Sequence, residues 1–261
     1  MDQQQVKQFW KDQAIKYKDS YAASWTDKYA MELENDAIAG ELVGPNILDA
    51  GCANGFKTIE LAKRQLFNRF TGIDYIPEMI DQAKTKHNLL CGELLEPIKF
   101  SVGDIMGMDF PDNSFDTVMV TRVLINLGTR ERQIKAVDEC VRVLRDGGRL
   151  VVSEACVDGW CNLNLLRNSL GMPSISMPEF NTYLNGDDIF CNPRLELVSR
   201  VNFSSTYFLG TRVIKPILIN MLGLDESPAD PNSEINRMFS KLAPTGDYGI
   251  QQMFVFNKVA I

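Results

Sequence analysis

The chain has 261 residues, a formal net charge of −7, and 45% hydrophobic against 23% charged residues. That is the balance of an ordinary globular protein, long enough for one large domain or a domain with an added cap. No apolar run approaches the roughly 18 residues that span a bilayer, and no basic cluster is denser than residues 130–132, which argues against a nucleic-acid partner.

A small substrate is therefore expected. The opening, "MDQQQVKQFWKDQ", lacks the basic-then-apolar order of a secretory signal, so a cytoplasmic chain is expected. Six cysteines without a CxxC pair, beside a single histidine, offer no zinc spacing; reduced, mostly buried thiols and no metal are expected.

Residues 1–44 read as helices rich in aromatics: Phe9, Trp10, Tyr17, Tyr21, Trp25 and Tyr29. Phe9, Trp10 and Ala14 fit packing against a core, whereas "YAASWTDKYAMELE" reads as a lid over a ligand. From about 45 to 156 short apolar runs alternate with helical periodicity, the sign of a parallel sheet with covering helices. Strands are expected at 46–50, 69–74, 98–102, 115–121 and 148–154, and helices at 56–66, 77–90 and 130–145. The last carries Ile134, Val137, Val141 and Leu144 on one stripe, an N-cap at Thr129 and a stop at Gly147-Gly148. Segments 157–193 and 204–249 read as cap insertions, the second with a short amphipathic helix in "SEINRMFSKL". Runs 194–203 and 250–259 look like two further strands. The whole, 1–261, is expected to be a single domain.

The stretch "NILDAGCANGFKTIEL" joins a strand to a helix through Gly51 and Gly55, with Cys52, Ala53 and Asn54 between them. Glycines allow positive φ and close approach of a ligand to the backbone, and free N–H groups at the helix start favour an anionic group. The glycine spacing is wrong for a dinucleotide fingerprint, which disfavours a nicotinamide-dependent dehydrogenase. Asp74, at the end of the second strand, can accept both hydroxyls of a ribose. Asp104, after the third strand, suits an adenine amino group.

In order, "ILDAGCANG", "GIDYIPEMI", "GDIMGMDFPDNSFDTVMV" and "LRDGGRLVVSE" resemble the class I S-adenosylmethionine-dependent methyltransferases over residues 45–155. The resemblance implies an α/β, Rossmann-like fold. It has a seven-stranded, mostly parallel sheet, a terminal antiparallel hairpin and helices on both faces, with S-adenosyl-L-methionine as cofactor. It places the methionine part on Asp49, Gly51, Cys52, Asn54 and Gly55, the ribose on Asp74, and the adenine against Tyr75 and Ile76. Asp104 and Ile105 would read the adenine edge, with Thr121 and Arg122 near the methionine tail. Tyr21 and Trp25 would shield the sulfonium from the N-terminal lid. The family's turn usually has glycine where Ala53 stands, a small substitute.

A sulfonium methyl is already activated, so such enzymes need chiefly to align an acceptor and exclude water. His87 lies on the helix after Asp74, away from the strand ends, and reads as structural. Weak catalytic candidates are Arg122, Asn126, Glu154, Asp247 and Tyr248. The flanks "FWKDQAIKYKDSYAASWTDKYAMELE" and "NRMFSKLAPTGDYGIQQMFVFNK" are loosely similar to a bacterial subgroup linked to surface-polysaccharide and modified-sugar biosynthesis. That likeness implies a hydroxyl of a sugar or related metabolite as acceptor. An N- or C-methyltransferase, or a protein that binds the cofactor without catalysis, are the alternatives. The acceptor, the base and the oligomeric state are not legible.

Overall fold

The computed structural model describes residues 2–65, 68–90, 98–186, 188–224 and 227–260. Among them seven strands form one sheet in the order β3-β2-β1-β4-β5-β7-β6. The strands are β1 Asn46–Ala50, β2 Arg69–Asp74, β3 Lys99–Val102, β4 Phe115–Thr121, β5 Leu144–Ala155, β6 Leu195–Val201 and β7 Gln251–Lys258. β1 to β5 pair in parallel, and β7 runs antiparallel to both β5 and β6. The terminal antiparallel hairpin is therefore present, with its last strand inserted between β5 and β6.

The central strands are buried on both faces, as their unbroken apolar runs require. Against one face α5 (Arg130–Val143) packs Val137, Cys140 and Val141 onto Val118, Val120, Leu150 and Val152. Against the other, α3 (Phe56–Arg64) and α4 (Pro77–Leu89) pack Ile59, Leu61, Ile80 and Ala83 onto Ile47, Met119 and Val151. His87 is structural: its Nε2 accepts from the Ile98 amide at 3.3 Å, with Phe100 beside the ring.

The largest boundary difference from the sequence reading is where α5 gives way to β5. α5 ends at Val143 and β5 begins at Leu144, so Gly147-Gly148 lies inside the strand. There the register against β4 slips between Phe115 and Thr117, a bulge that takes up the extra residues.

The flanks are helical: α1 Gln3–Tyr17 and α2 Lys28–Ala39 before the sheet, α6 Val157–Ser169 after β5, α7 Ser205–Leu209, α8 Lys215–Leu222 and α9 Glu234–Phe239 between β6 and β7. α6 to α8 were legible only as irregular cap. Between α7 and α8 the chain makes a π-helical turn, Gly210–Ile214, where Gly210 leaves no room for a Cβ against the Phe239 ring. Cys52, Cys140 and Cys156 are buried, Cys161 is half-buried and Cys191 exposed; Cys91 lies outside the described residues. Among the described residues no helix is long and apolar enough to cross a membrane.

Candidate functional site

The strand order reverses between β1 and β4, which opens a crevice at their carboxyl ends, the place where open α/β sheets bind ligands. A cleft with about 1000 Å³ of empty volume lies there. β1 delivers Asp49 to its floor. The turn that follows has Gly51 at φ 94° and Gly55 at φ 71°. At Gly51 a Cβ would stand 2.2 Å from Val123 Cγ2, so glycine is also required for packing against the loop after β4. The Gly51 and Cys52 amides both donate to Ile73 O at 2.8 Å, tying the turn to β2.

Ala53 sits at φ 46°, a region that costs a residue with a Cβ about 1–2 kcal/mol. Ala53→Gly is expected to raise stability by about 0.5–1 kcal/mol after the greater entropy of an unfolded glycine is subtracted. Thermal unfolding checks this, and a fall in midpoint would refute it.

Two carboxylates line the cleft in tension with their burial. Asp74 accepts from the Ala53 amide at 3.0 Å and the Ile76 amide at 2.9 Å. Burial, partly opposed by those amides, still raises its pKa to about 6. Asp49 Oδ2 accepts from Thr58 Oγ1 at 2.7 Å, while its Oδ1 is buried without a hydrogen-bond partner. Burial raises this carboxyl to about 6 as well. An orphaned acceptor at the floor of a cleft is a vacancy for a donor such as an ammonium.

Behind the cleft lies a charge cluster. Glu34 of α2 is fully buried and pairs with both Lys57 and Arg122. It also accepts from Ser153 Oγ at 2.6 Å and Gln251 Nε2 at 3.2 Å. Burial alone would raise its pKa, but Arg122 and Lys57 outweigh that and hold it at about 2. Arg122 is in the left-handed region at φ 55°, and its guanidinium lies 4.6 Å from the centre of the Trp25 ring. A long side chain held there against its backbone preference marks a position over-determined by its surroundings.

The expected cofactor residues divide. Asp49, Gly51, Cys52, Asn54, Asp74, Tyr75, Asp104, Ile105, Thr121 and Arg122 all line the cleft. Tyr21 does not: its ring meets Phe56 edge-on at 5.8 Å, over a different surface depression. Ile76 turns inward, packed with Ala14, Ala23 and Met79. Gly55 caps α3 beneath the turn, where its absent Cβ makes room for Ala83 and Phe100. Trp25 lines a second chamber instead.

The catalytic candidates divide too. Arg122 and Asn126 stand where the cleft meets that second chamber. Glu154 lines neither; it is buried and accepts from the Val123, Leu124 and Ile125 amides, so it shapes the loop after β4. Burial raises its pKa to about 8 against those three amides. Asp247 is exposed, and Tyr248 packs among the cap aromatics with its amide on Ser205 Oγ. Both lie outside the two chambers.

Among the cleft residues that escaped the sequence reading are Trp10, Ser24 and Lys57. Trp10 was expected only to pack, yet it lines both chambers. Glu34 behind them had a legible signal, because it falls on the stripe Ala30, Met31, Ile38 that α2 buries.

The fold is shared with solved methyltransferases, and its switch-point cleft gathers most of the residues expected to hold S-adenosylmethionine. Residues 48–152 match the family model described as "Methyltransferase domain". Over 133 residues the chain is 28% identical to an O-methyltransferase of Aspergillus sclerotiorum, covering 50% of this chain and 47% of that one. Over 108 residues it is 33% identical to a demethylmenaquinone methyltransferase of Deinococcus radiodurans, covering 41% and 42%. The chain thus spans less than half the length of these curated relatives. Among solved structures, an S-adenosylmethionine-dependent methyltransferase of Methanosarcina mazei aligns over 86% of this chain and 98% of its own at 19% identity, with a TM-score of 0.55. Magnesium protoporphyrin IX methyltransferase of Synechocystis PCC 6803, with bound SAH, aligns over 92% and 88% at 15% identity, with a TM-score of 0.57.

Cofactor binding should be linked to protons. Asp49 and Asp74 both lie above the ordinary 3.8, near 6, so the ligand-free protein holds them increasingly protonated below that pH. A ligand offering an ammonium and ribose hydroxyls selects the ionised forms, so its affinity falls as pH falls through about 6. Calorimetric titration at pH 5 and 7.5, in buffers of different ionisation heat, should show proton release only at the lower pH. Equal affinity at both would refute it.

Proposed function

We propose that this chain transfers a methyl group from S-adenosylmethionine to a hydroxyl of a small molecule, a sugar or related metabolite. The observation that carries the reading is the join between the two chambers. The cleft opens past Trp10, Ser24, Arg122 and Asn126 into a second space with about 1330 Å³ of empty volume, walled by aromatics including Trp25, Phe180 and Tyr183. Such walls suit a ring with an apolar face, and Asn126 and Ser24 at the neck can hydrogen-bond a hydroxyl.

When bound, the cofactor supplies an electrophilic methyl. Asp49 would hold its ammonium, Asp74 its ribose, and Tyr75, Asp104 and Ile105 its adenine. Trp10 and the segment 20–25 exclude water from the join, which strengthens every charge interaction inside it. Arg122 pairs with Glu34 and lies over Trp25, and a guanidinium carries donors only, so it orients rather than takes a proton. Curated relatives similar to this chain include O-, N- and C-methyltransferases, so the oxygen acceptor rests on the neck and the flanking segments alone.

The test is incubation with methyl-labelled S-adenosylmethionine and a small-molecule extract, followed by mass spectrometry. Label on a hydroxyl oxygen is expected. Label on nitrogen or carbon would overturn the acceptor, and binding without any turnover would overturn catalysis.

A further inference from the structure

Building on that function, we propose that the acceptor carries a carboxylate or similar anionic group, and that Arg212 is the residue that reads it. Arg212 lies on the π-helical turn Gly210–Ile214 and lines the second chamber, its guanidinium 5.4 Å from the centre of the Phe208 ring. π-Turns occur frequently at functional sites, because the extra residue redirects a side chain.

Arg212 is held from behind. Its Nη2 donates to Asp27 Oδ2 at 2.9 Å, and the side chain keeps 29% of its surface exposed while that of Asp27 keeps 3%. The carboxylate therefore stands behind the guanidinium. Its charge is also shared, because Asp27 Oδ1 accepts from Tyr207 Oη at 2.6 Å and the Ala30 amide at 3.1 Å. Arg167 adds a second cation, with its donors on the main-chain carbonyls of Pro173 and Arg212. Burial and the charge of Arg212 both push the Arg167 pKa down, so the two cations sense each other.

Among the described residues no Asp, Glu or His side chain lines this chamber. Its other cation, Arg122, pairs with buried Glu34, a partner it shares with Lys57. The Tyr183 phenol is pushed up by burial to about 12 and stays neutral. The chamber therefore has apolar aromatic walls and, at Arg212, a cationic end where two arginines, Arg212 and Arg167, stand near the single carboxylate of Asp27. A guanidinium presented this way binds a carboxylate through paired, charge-assisted hydrogen bonds. A ring with a carboxylate at one end would place its other end towards the neck at Asn126.

The experiment compares two probes that share a phenol ring and differ at its para substituent, anionic 4-hydroxybenzoate and neutral 4-hydroxybenzyl alcohol. Each is titrated calorimetrically into the full chain saturated with S-adenosylhomocysteine. The carboxylate is expected to bind about tenfold or more tightly than the alcohol, with the preference shrinking in high salt. Arg212→Met should erase the preference while leaving affinity for the alcohol and for S-adenosylhomocysteine unchanged. Arg212→Gln, which keeps a donor for Asp27, is the second variant and should behave alike. Equal binding of the two probes, binding of neither, or a preference that survives both substitutions would overturn the proposal. Failure of the wild-type chain to bind S-adenosylhomocysteine would instead overturn the methyltransferase reading.

Discussion

Replacing Glu34 with alanine should lower stability by about 3–5 kcal/mol, the usual result of stranding buried charge. The carboxylate is fully buried and is shared by Lys57, Arg122, Ser153 and Gln251. Its removal leaves Lys57 and Arg122 without their ion-pair partner, with only Asp49 nearby to offset them, and strips Arg122 of the partner that helps hold it at φ 55°. For a chain of this size the unfolding midpoint should fall by on the order of 10 °C. The pH dependence gives a second readout. Glu34 is held at about 2 in the folded protein against an ordinary 4.5. Its stabilisation is therefore complete above about 4.5 and lost as pH falls through about 2. Glu34→Ala should flatten that acid limb. A loss below about 1 kcal/mol, typical of an exposed pair, would show that the cluster is solvated.

Asp74→Ala should weaken S-adenosylmethionine binding by about 1–3 kcal/mol, the range for hydrogen bonds to a charged group. The same change should also lower stability, because the Ala53 and Ile76 amides lose their acceptor. Asp74→Asn separates the two effects. Its amide keeps one acceptor for one backbone N–H but presents a donor where the other needs an oxygen. Calorimetric titration alongside thermal unfolding resolves them. Affinity equal to wild type in both variants would place the ribose elsewhere.

Strand positions and the cleft's floor were legible because their signals are local. An unbroken apolar run such as "FDTVMVT" says buried parallel strand, and Asp49, Asp74 and Asp104 fall at or just beyond the carboxyl ends of successive strands. What was not legible depends on direction or distance. Ile76 and Tyr75 are neighbours, yet one turns into the core and the other into the cleft. Tyr21 and Trp25 lie on the same turn, and contacts with Phe56 and Arg122, distant in sequence, decide where each ring goes. Glu154 looked like a reactive strand-end carboxylate, but three amides of another loop consume it. The cap helices were obscured by their composition: α6 shows little amphipathic contrast, and α8 is apolar almost throughout.

The insertion of β7 between β5 and β6 constrains the order of assembly. β6 touches the sheet only through β7, a strand that follows it in the chain. The five parallel strands and their helices can associate earlier, from contacts closer in sequence. Until β7 docks, β5 presents an open edge bearing Leu150, Val151 and Val152, side chains that are fully buried in the finished fold. An unpaired, apolar edge is a template for pairing with another copy. In the finished fold β7 closes that edge, so the pairing of β7 with β5 is what removes the template.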